Sequence, residues 1–206
     1  MRLFAERGYD ATSVADVAEA AGISSETVYR HFPAEEDLVL ADRCGPLAAE
    51  QIAAISPAQP LVRRIGIALI RSAEALTGAA PEGDPTANER FQRTRLQLML
   101  TTPALRARHL DRQDALQRAI VDALGSGAGG LSVMDFDGMD PEVVGSEAAG
   151  DAVFQAQAAV SACLAAMHTA LVRWVEDEGR DELPDVVAGA LTAAFGFDFE
   201  DFRSGR

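Results

Sequence analysis

Lysine is absent from this 206-residue chain. All 18 basic residues are arginine, set against 32 Asp and Glu, for a formal net charge of −14. A surface so acidic favours solubility and repels nucleic acid at long range, so any contact with DNA must come from a local patch. Aromatic residues are scarce at 6%, and the β-branched or aromatic alternation of a half-buried strand is rare, which argues against a β fold. There are two cysteines, Cys44 and Cys163, without the spacing of a metal or redox site. They read as small buried hydrophobes. The opening apolar run is too short for a secretory signal, and no apolar stretch reaches the roughly 18 residues that cross a bilayer. These absences predict a cytoplasmic protein with no membrane association.

Catalytic and cofactor signatures are missing too. The sequence contains no nucleophile–base constellation, no phosphate loop and no H-E-x-x-H motif. A small-molecule enzyme on a helical fold therefore lacks a catalytic cluster, and neither a cofactor nor a metal is expected. The acidic run Asp135, Asp137, Asp140 has part of a calcium-loop spacing, but the remaining ligands and the closing Glu are wrong. It lies in a Gly-rich acidic stretch, 125–145, that reads as loop.

What remains is rich in Ala, Leu and Val punctuated by Gly and Pro, the composition of an all-α protein. The informative stretch is "TSVADVAEAAGISSETVYRHF", residues 12–32. Thr12 and Ser13 are N-cap residue types, and Ser13 with Asp16 has capping-box spacing. Val14, Val17, Ala18 and Ala21 mark one helical face. Gly22 is placed to end the helix in a left-handed conformation, and Ile23 is expected to return to the core. Ser24 offers a second N-cap, after which Val28 and Phe32 share a face. Two short helices around a tight turn form a helix-turn-helix, whose second helix reads the major groove from its N-terminal residues. Those residues are Ser25, Glu26 and Thr27, followed by Tyr29, Arg30 and His31, which can bond phosphate or a base edge. From spacing alone, a plain helical hairpin with solvated polar residues fits as well.

The longer segment "LFAERGYDATSVADVAEAAGISSETVYRHFPAEEDLVLA" resembles the N-terminal domain of TetR-family transcriptional regulators. The resemblance rests on Leu3-Phe4, Gly8-Tyr9, Thr12, Val17-Ala18, Ala21-Gly22-Ile23-Ser24, Thr27, Tyr29, Phe32-Pro33 and Asp37-Leu38. It implies a helical homodimer that binds a palindromic double-stranded DNA operator, usually represses, and is released by a small molecule bound in the C-terminal domain. The implied DNA-contact set is Thr12, Ser13, Ser24, Ser25, Glu26, Thr27, Tyr29, Arg30 and His31.

Two departures stand out. The family usually places Lys after the Phe-Pro pair, at a helix start that meets phosphate; here that position is Glu35, beside Glu36 and Asp37. Residues 1–45 hold four arginines against nine acids. The family's first helix normally begins several residues upstream, so Met1 is expected to fall inside it. Weak ionic support for DNA binding keeps a rival open: the same fold acting as a helical dimer or ligand sensor with little autonomous DNA binding.

Beyond this segment, a helix starting at Pro33 should run toward Ile55. Gly45-Pro46 should kink or split it, either as part of signal transfer or as a simple helix boundary. Further helices are expected through Leu61–Leu76, Phe91–Leu100, Pro103–Leu124, Gly150–Asp177 and Pro184–Phe195, with 78–85 a loop. The last two carry small residues and aliphatic bulk suited to a four-helix dimer bundle, and they match the family's dimerisation helices in position. The segment from Arg90 to Leu124, with "HTALVRWVEDEG" later, loosely resembles the C-terminal domain of mycofactocin-regulator-type members. That resemblance implies a pocket for a lipophilic or acyl-CoA-like effector, with Phe91, Arg95, Met99, His109, Met167, His168 and Trp174 as candidate lining. His109, among Arg106, Arg108 and Arg112, reads either as part of a solvated helix face or as an anion site; Met167, His168 and Trp174 read equally as core. The expectation is therefore an all-α chain. A three-helix DNA-binding domain with a helix-turn-helix over 1–44 is followed by a ligand-binding and dimerisation domain over 45–206.

Overall fold

In a computed structural model, residues 2–40, 44–78, 85–126, 147–196 and 198–199 are described. Among them the regular structure is helical throughout. Residues 127–145 of the acidic Gly-rich stretch, with Asp135, Asp137 and Asp140, and most of the expected loop at 78–85 lie outside the described residues, while 125 and 126 belong to the helix before it.

The chain divides into two compact units, and neither is contiguous in sequence. The first comprises Met1–Asp42 and Thr77–Arg112. It holds α1 (Arg2–Arg7), α2 (Val14–Ala21), α3 (Ser25–His31), α4 (Asp37–Leu40), α7 (Pro85–Thr101) and the first ten residues of α8 (Pro103–Ser126). Its main core gathers Phe4, Val39, Leu40, Met99 and Leu105. A smaller cluster of Val14, Ala18 and Val28, joined by Phe32 and Leu38, holds α2 against α3. The N-terminal segment thus shares a hydrophobic core with residues from about 96 to 105, an arrangement that helical periodicity alone does not reveal.

The second unit comprises Arg43–Leu76 and Gln113–Arg206. It holds α5 (Cys44–Ala53), nearly all of α6 (Leu61–Thr77), the rest of α8, α9 (Glu147–Glu176) and α10 (Leu183–Phe195). Helices α9 and α10 pack along each other. The turn between them passes through Glu178 and Gly179 in positive φ, and the Trp174 indole N–H donates to the Asp181 carbonyl at 2.9 Å. Trp174, Val187 and Leu191 are fully buried. Pro184 sits in the first turn of α10, where a missing N–H leaves no helical bond unmade. Gly66 on α6 lies directly under the Phe199 ring, and a Cβ there would overlap the ring. Cys163 is buried, and burial pushes its thiol up to about 12.

Three expectations need correction. Pro33 does not begin a helix; α4 starts at Asp37. The intervening turn is tighter than α-helical. The N–H groups of Asp37, Leu38 and Val39 each donate to the carbonyl three residues back, at 3.1 Å, and the Asp37 carboxylate accepts the Ala34 N–H at 3.1 Å. Ile23 does not return to the core and is 47% exposed. Gly22, at φ 67, turns the chain back on itself, and the Ile23 N–H closes the turn on the Ala18 carbonyl at 3.0 Å. Finally, Gly150–Glu176 is long and apolar enough to cross a membrane by length and composition. Its hydropathy comes largely from alanine, and in the fold it packs against α10 with Val160, Cys163 and Trp174 buried.

Gly45 and Pro46 lie in the first turn of α5, while α4 ends at Leu40. Residues 41–43 lie outside the described ones, and with them the expected kink or split of this helix.

Candidate nucleic-acid interface

The helix-turn-helix is built from local bonds. Ser13 caps α2: its hydroxyl accepts the Asp16 N–H at 3.2 Å, and the Asp16 carboxylate accepts the Ser13 N–H at 2.8 Å. Asp at the third helical position thus completes the capping box despite being one methylene shorter than Glu. The Ser13 hydrogen bonds, with a smaller contribution from Arg7 at 3.7 Å, hold the Asp16 carboxyl below its ordinary value. Ser24 caps α3 by accepting the Thr27 N–H at 3.2 Å, and its hydroxyl also lies 2.9 Å from the Thr27 hydroxyl. Each cap is worth about 1 kcal/mol, a useful amount for helices of eight and seven residues, lengths too short to be stable alone.

Val28 pins α3 to the small cluster, and this orientation presents Glu26, Tyr29, Arg30 and His31 outward. Tyr29 is 52% exposed, far more than an aromatic ring needs for packing. Ser25 and Thr27 are half-buried and Ser24 is exposed at the leading end of α3. Eight of the nine candidate contact residues therefore lie on or beside one short helix pair with some access to solvent. Thr12 differs. It is 2% exposed, and its hydroxyl donates to the Gly8 carbonyl at 2.8 Å, closing the loop that leads into α2.

The turn between α3 and α4 is acidic, with Glu35 and Glu36 leading into Asp37. Tyr9 stacks on Phe4 with ring centroids 5.7 Å apart. Its phenol is pushed up to about 12, first by burial and then by Glu36, Glu35, Asp10 and Asp37. The same carboxylates oppose a phosphate brought to this turn.

Helix α4 is held from outside. At its start, Arg112 of α8 donates to one oxygen of Asp37, whose other oxygen takes the Ala34 N–H. At its end, Arg95 of α7 donates from Nε to the Val39 carbonyl at 2.8 Å and from Nη1 to the Gln92 side chain at 3.1 Å. No sequence pattern announces the Asp37–Arg112 pair, and Arg95, expected to line a ligand pocket, holds the Val39 carbonyl. No local pattern links residues 75 positions apart.

The candidate effector residues fall in both units. In the first, Phe91 is exposed, Arg95 braces α4, Met99 is in the core with Phe4, and His109 is half-buried. In the second, Trp174 is core, Met167 is half-buried, and His168 lines an open cleft of about 450 Å³ between α8 and α9, with Gln113, Gln117, Ser161 and Thr169. Among the described residues no cluster of His, Cys, Asp or Glu is arranged to hold a metal.

Residues 1–41 match the family described as "Bacterial regulatory proteins, tetR family". Over 37 residues the chain is 57% identical to the HTH-type transcriptional repressor KstR2 of Rhodococcus jostii (strain RHA1). It is 51% identical over 37 residues to the protein of the same name from Mycobacterium tuberculosis (strain ATCC 25618 / H37Rv). Each match spans 18% of this chain and 18% of the relative's length. Among solved structures, that of PfmR, a TetR family transcriptional regulator from Thermus thermophilus, covers 95% of this chain and 93% of its own, at 21% identity and a TM-score of 0.41.

Proposed function

We propose that this chain, a tetR-family protein whose first 41 residues match that family's model, is a transcriptional repressor that binds a palindromic operator as a homodimer. A small molecule bound in the helical part beyond the DNA-binding segment then releases it. The observation that carries the reading is α3, a seven-residue helix capped at Ser24, pinned by Val28, and exposing Glu26, Tyr29, Arg30 and His31. A phosphate needs donors such as Tyr29, Arg30 and His31, and a base edge needs donors or an acceptor such as Glu26, on a helix narrow enough to enter the major groove. The contact set is Ser13, Ser24, Ser25, Glu26, Thr27, Tyr29, Arg30 and His31. Thr12 is left out because its hydroxyl already closes a buried turn.

The effector reading is a small lipophilic or acyl-CoA-like molecule, and α9 with α10 supplies the dimer contact. The division of labour is DNA binding in the segment up to about residue 44 and ligand binding with dimerisation after it. The supporting geometry is the bracing of α4 by Arg95 and Arg112, through which a shift of α7 or α8 reaches the DNA-binding segment. A ligand acts this way only if it binds one arrangement better than the other.

The acidic turn at Glu35, Glu36 and Asp37 favours a second reading, in which autonomous DNA binding is weak and the protein senses a ligand or pairs with another regulator. A gel-shift titration with DNA from upstream of its own gene separates the two. A shift at submicromolar protein that is competed by the same DNA and not by a scrambled duplex supports the repressor. Equal, weak retardation of both duplexes supports the sensor.

A further inference from the structure

Helix α6 is enclosed on every side for nearly two turns, because every residue from Arg64 to Ile70 is buried. Seven consecutive residues cover the whole circumference of an α-helix. Six of these are aliphatic or glycine, and the seventh is an arginine. Arg64 is 6% exposed, and its Nε is buried with no hydrogen-bond partner. Among the described residues no ion pair includes it. Burial lowers its hold on its proton, yet a guanidinium keeps its charge in proteins.

A buried charge normally has both a counterion and hydrogen bonds, because removing it from water without them is strongly unfavourable. Arg64 stands on one face of α6 with Ala68 and Ser72, four and eight residues on. The Ser72 hydroxyl donates to the Ala68 carbonyl at 2.7 Å, so this face offers the guanidinium no side-chain acceptor of opposite charge. The guanidinium fork fits a carboxylate or phosphate through two parallel N–H bonds. Along the same helix, Ile65, Ile67 and Leu69 are buried and apolar.

We propose that Arg64 is the recognition residue for a small organic oxyanion, a carboxylate or phosphate ester on an apolar body, bound inside the second unit. The proposal rests on reading the chain after about residue 44 as the effector-binding part and adds the chemical class of the effector.

The test uses the full chain and four probes: sodium octanoate, octyl phosphate, inorganic phosphate and the neutral octanol. Thermal melting and calorimetric titration are measured without DNA on wild type, Arg64→Met and Arg64→Lys. Octanoate or octyl phosphate should raise the wild-type melting temperature where octanol does not, and the tighter of the two identifies the head group. Arg64→Met should weaken that binding roughly ten- to hundredfold, the loss of a charged hydrogen-bond pair, while Arg64→Lys, which keeps the charge without the fork, falls between. Ligand-free Arg64→Met should melt no lower than wild type, since it removes an uncompensated charge and keeps a similar volume.

A lower ligand-free melting temperature for Arg64→Met would show that an acid of this chain or of a second copy already pairs with Arg64, and the proposal would fall. It would fall equally if no probe bound at millimolar concentration, or if the anions bound wild type and Arg64→Met alike. Operator release is scored separately by gel shift. Anion binding that depends on Arg64 but leaves the DNA complex intact would keep the site and overturn the release reading instead.

Discussion

Two neighbouring pieces of the first unit are held in opposite ways. The helix pair α2–α3 is stabilised from within: Ser13 reaches Asp16, Ser24 reaches Thr27, and Val14, Ala18 and Val28 close the contact. The short helix α4 is stabilised from outside. Its two ends are fastened to Arg112 and Arg95, which are 75 and 56 residues away in sequence from their partners. The first arrangement makes a helix pair whose shape is set mainly by its own bonds, with Leu38 of α4 packed against it. The second makes a joint whose position depends on α7 and α8. The ligand-released repressor proposed above would use both, a locally held reader and a mount held by distant helices.

The largest effect expected from breaking this contrast is at the mount. Asp37→Ala strips both the Arg112 pair and the Ala34 cap, and leaves a partly buried guanidinium without its carboxylate. It should cost about 1–3 kcal/mol in urea unfolding monitored by helical circular dichroism. Operator affinity should fall as well, although Asp37 is assigned no DNA contact. Unchanged stability would mean that the Arg112 pair is solvent-screened and does not brace α4.

Ser24→Ala should produce a smaller loss, about 1 kcal/mol, confined to the reader. Hydrogen exchange at the α3 amides should quicken while the amides of α4 keep their protection. Uniform quickening across both would show that the two pieces are not independently held.

Next in size is an electrostatic change. Glu35→Lys alters the local charge by two units at the acidic turn. It should tighten binding to any duplex and steepen the salt dependence of log K by roughly one phosphate per subunit. An unmoved salt slope would place residue 35 away from the DNA.

The smallest effect is the pH response of the capping box. Asp16 has its folded-state value depressed, so the stability it contributes is full above the ordinary carboxylate value of 3.8 and is lost as pH falls through the lower folded value. Acid titration of wild type and Asp16→Ala should therefore converge in α2 helicity below the folded value and separate above it. Parallel curves across the acid range would remove the box from the account.

The same contrast explains what could be read in the sequence. The caps at Ser13 and Ser24, the left-handed Gly22 and the apolar spacing of Val14, Ala18 and Val28 were legible because each is satisfied within four residues or on one helix face. Pro184 at the head of α10 was legible for the same reason. Ile23 misled because a hydrophobic residue after a helix-ending glycine often packs back, and here the turn's own hydrogen bond leaves it outside. Pro33 misled because the turn that follows it is closed by three-residue bonds and the Asp37 side chain before any α-helix begins. The bracing by Arg95 and Arg112 and the pairing of Gly66 with Phe199 depend on chain segments far apart in sequence, so no periodicity announces them. Arg64 left a faint signal as a charge inside "LVRRIGIALI", and only burial on every face of α6 made it conspicuous.

The central claim is that α3 reads DNA, and it is tested most directly by fluorescence-anisotropy titration of a labelled duplex from the region upstream of the protein's own gene. Wild type, Tyr29→Ala and Arg30→Ala are compared at several salt concentrations, with circular dichroism confirming equal helicity. The account predicts that each variant weakens specific binding about three- to tenfold per lost hydrogen bond, and that Arg30→Ala alone flattens the salt slope, because only it removes a charge. Wild-type affinity and slope in both variants, with the fold intact, would contradict it.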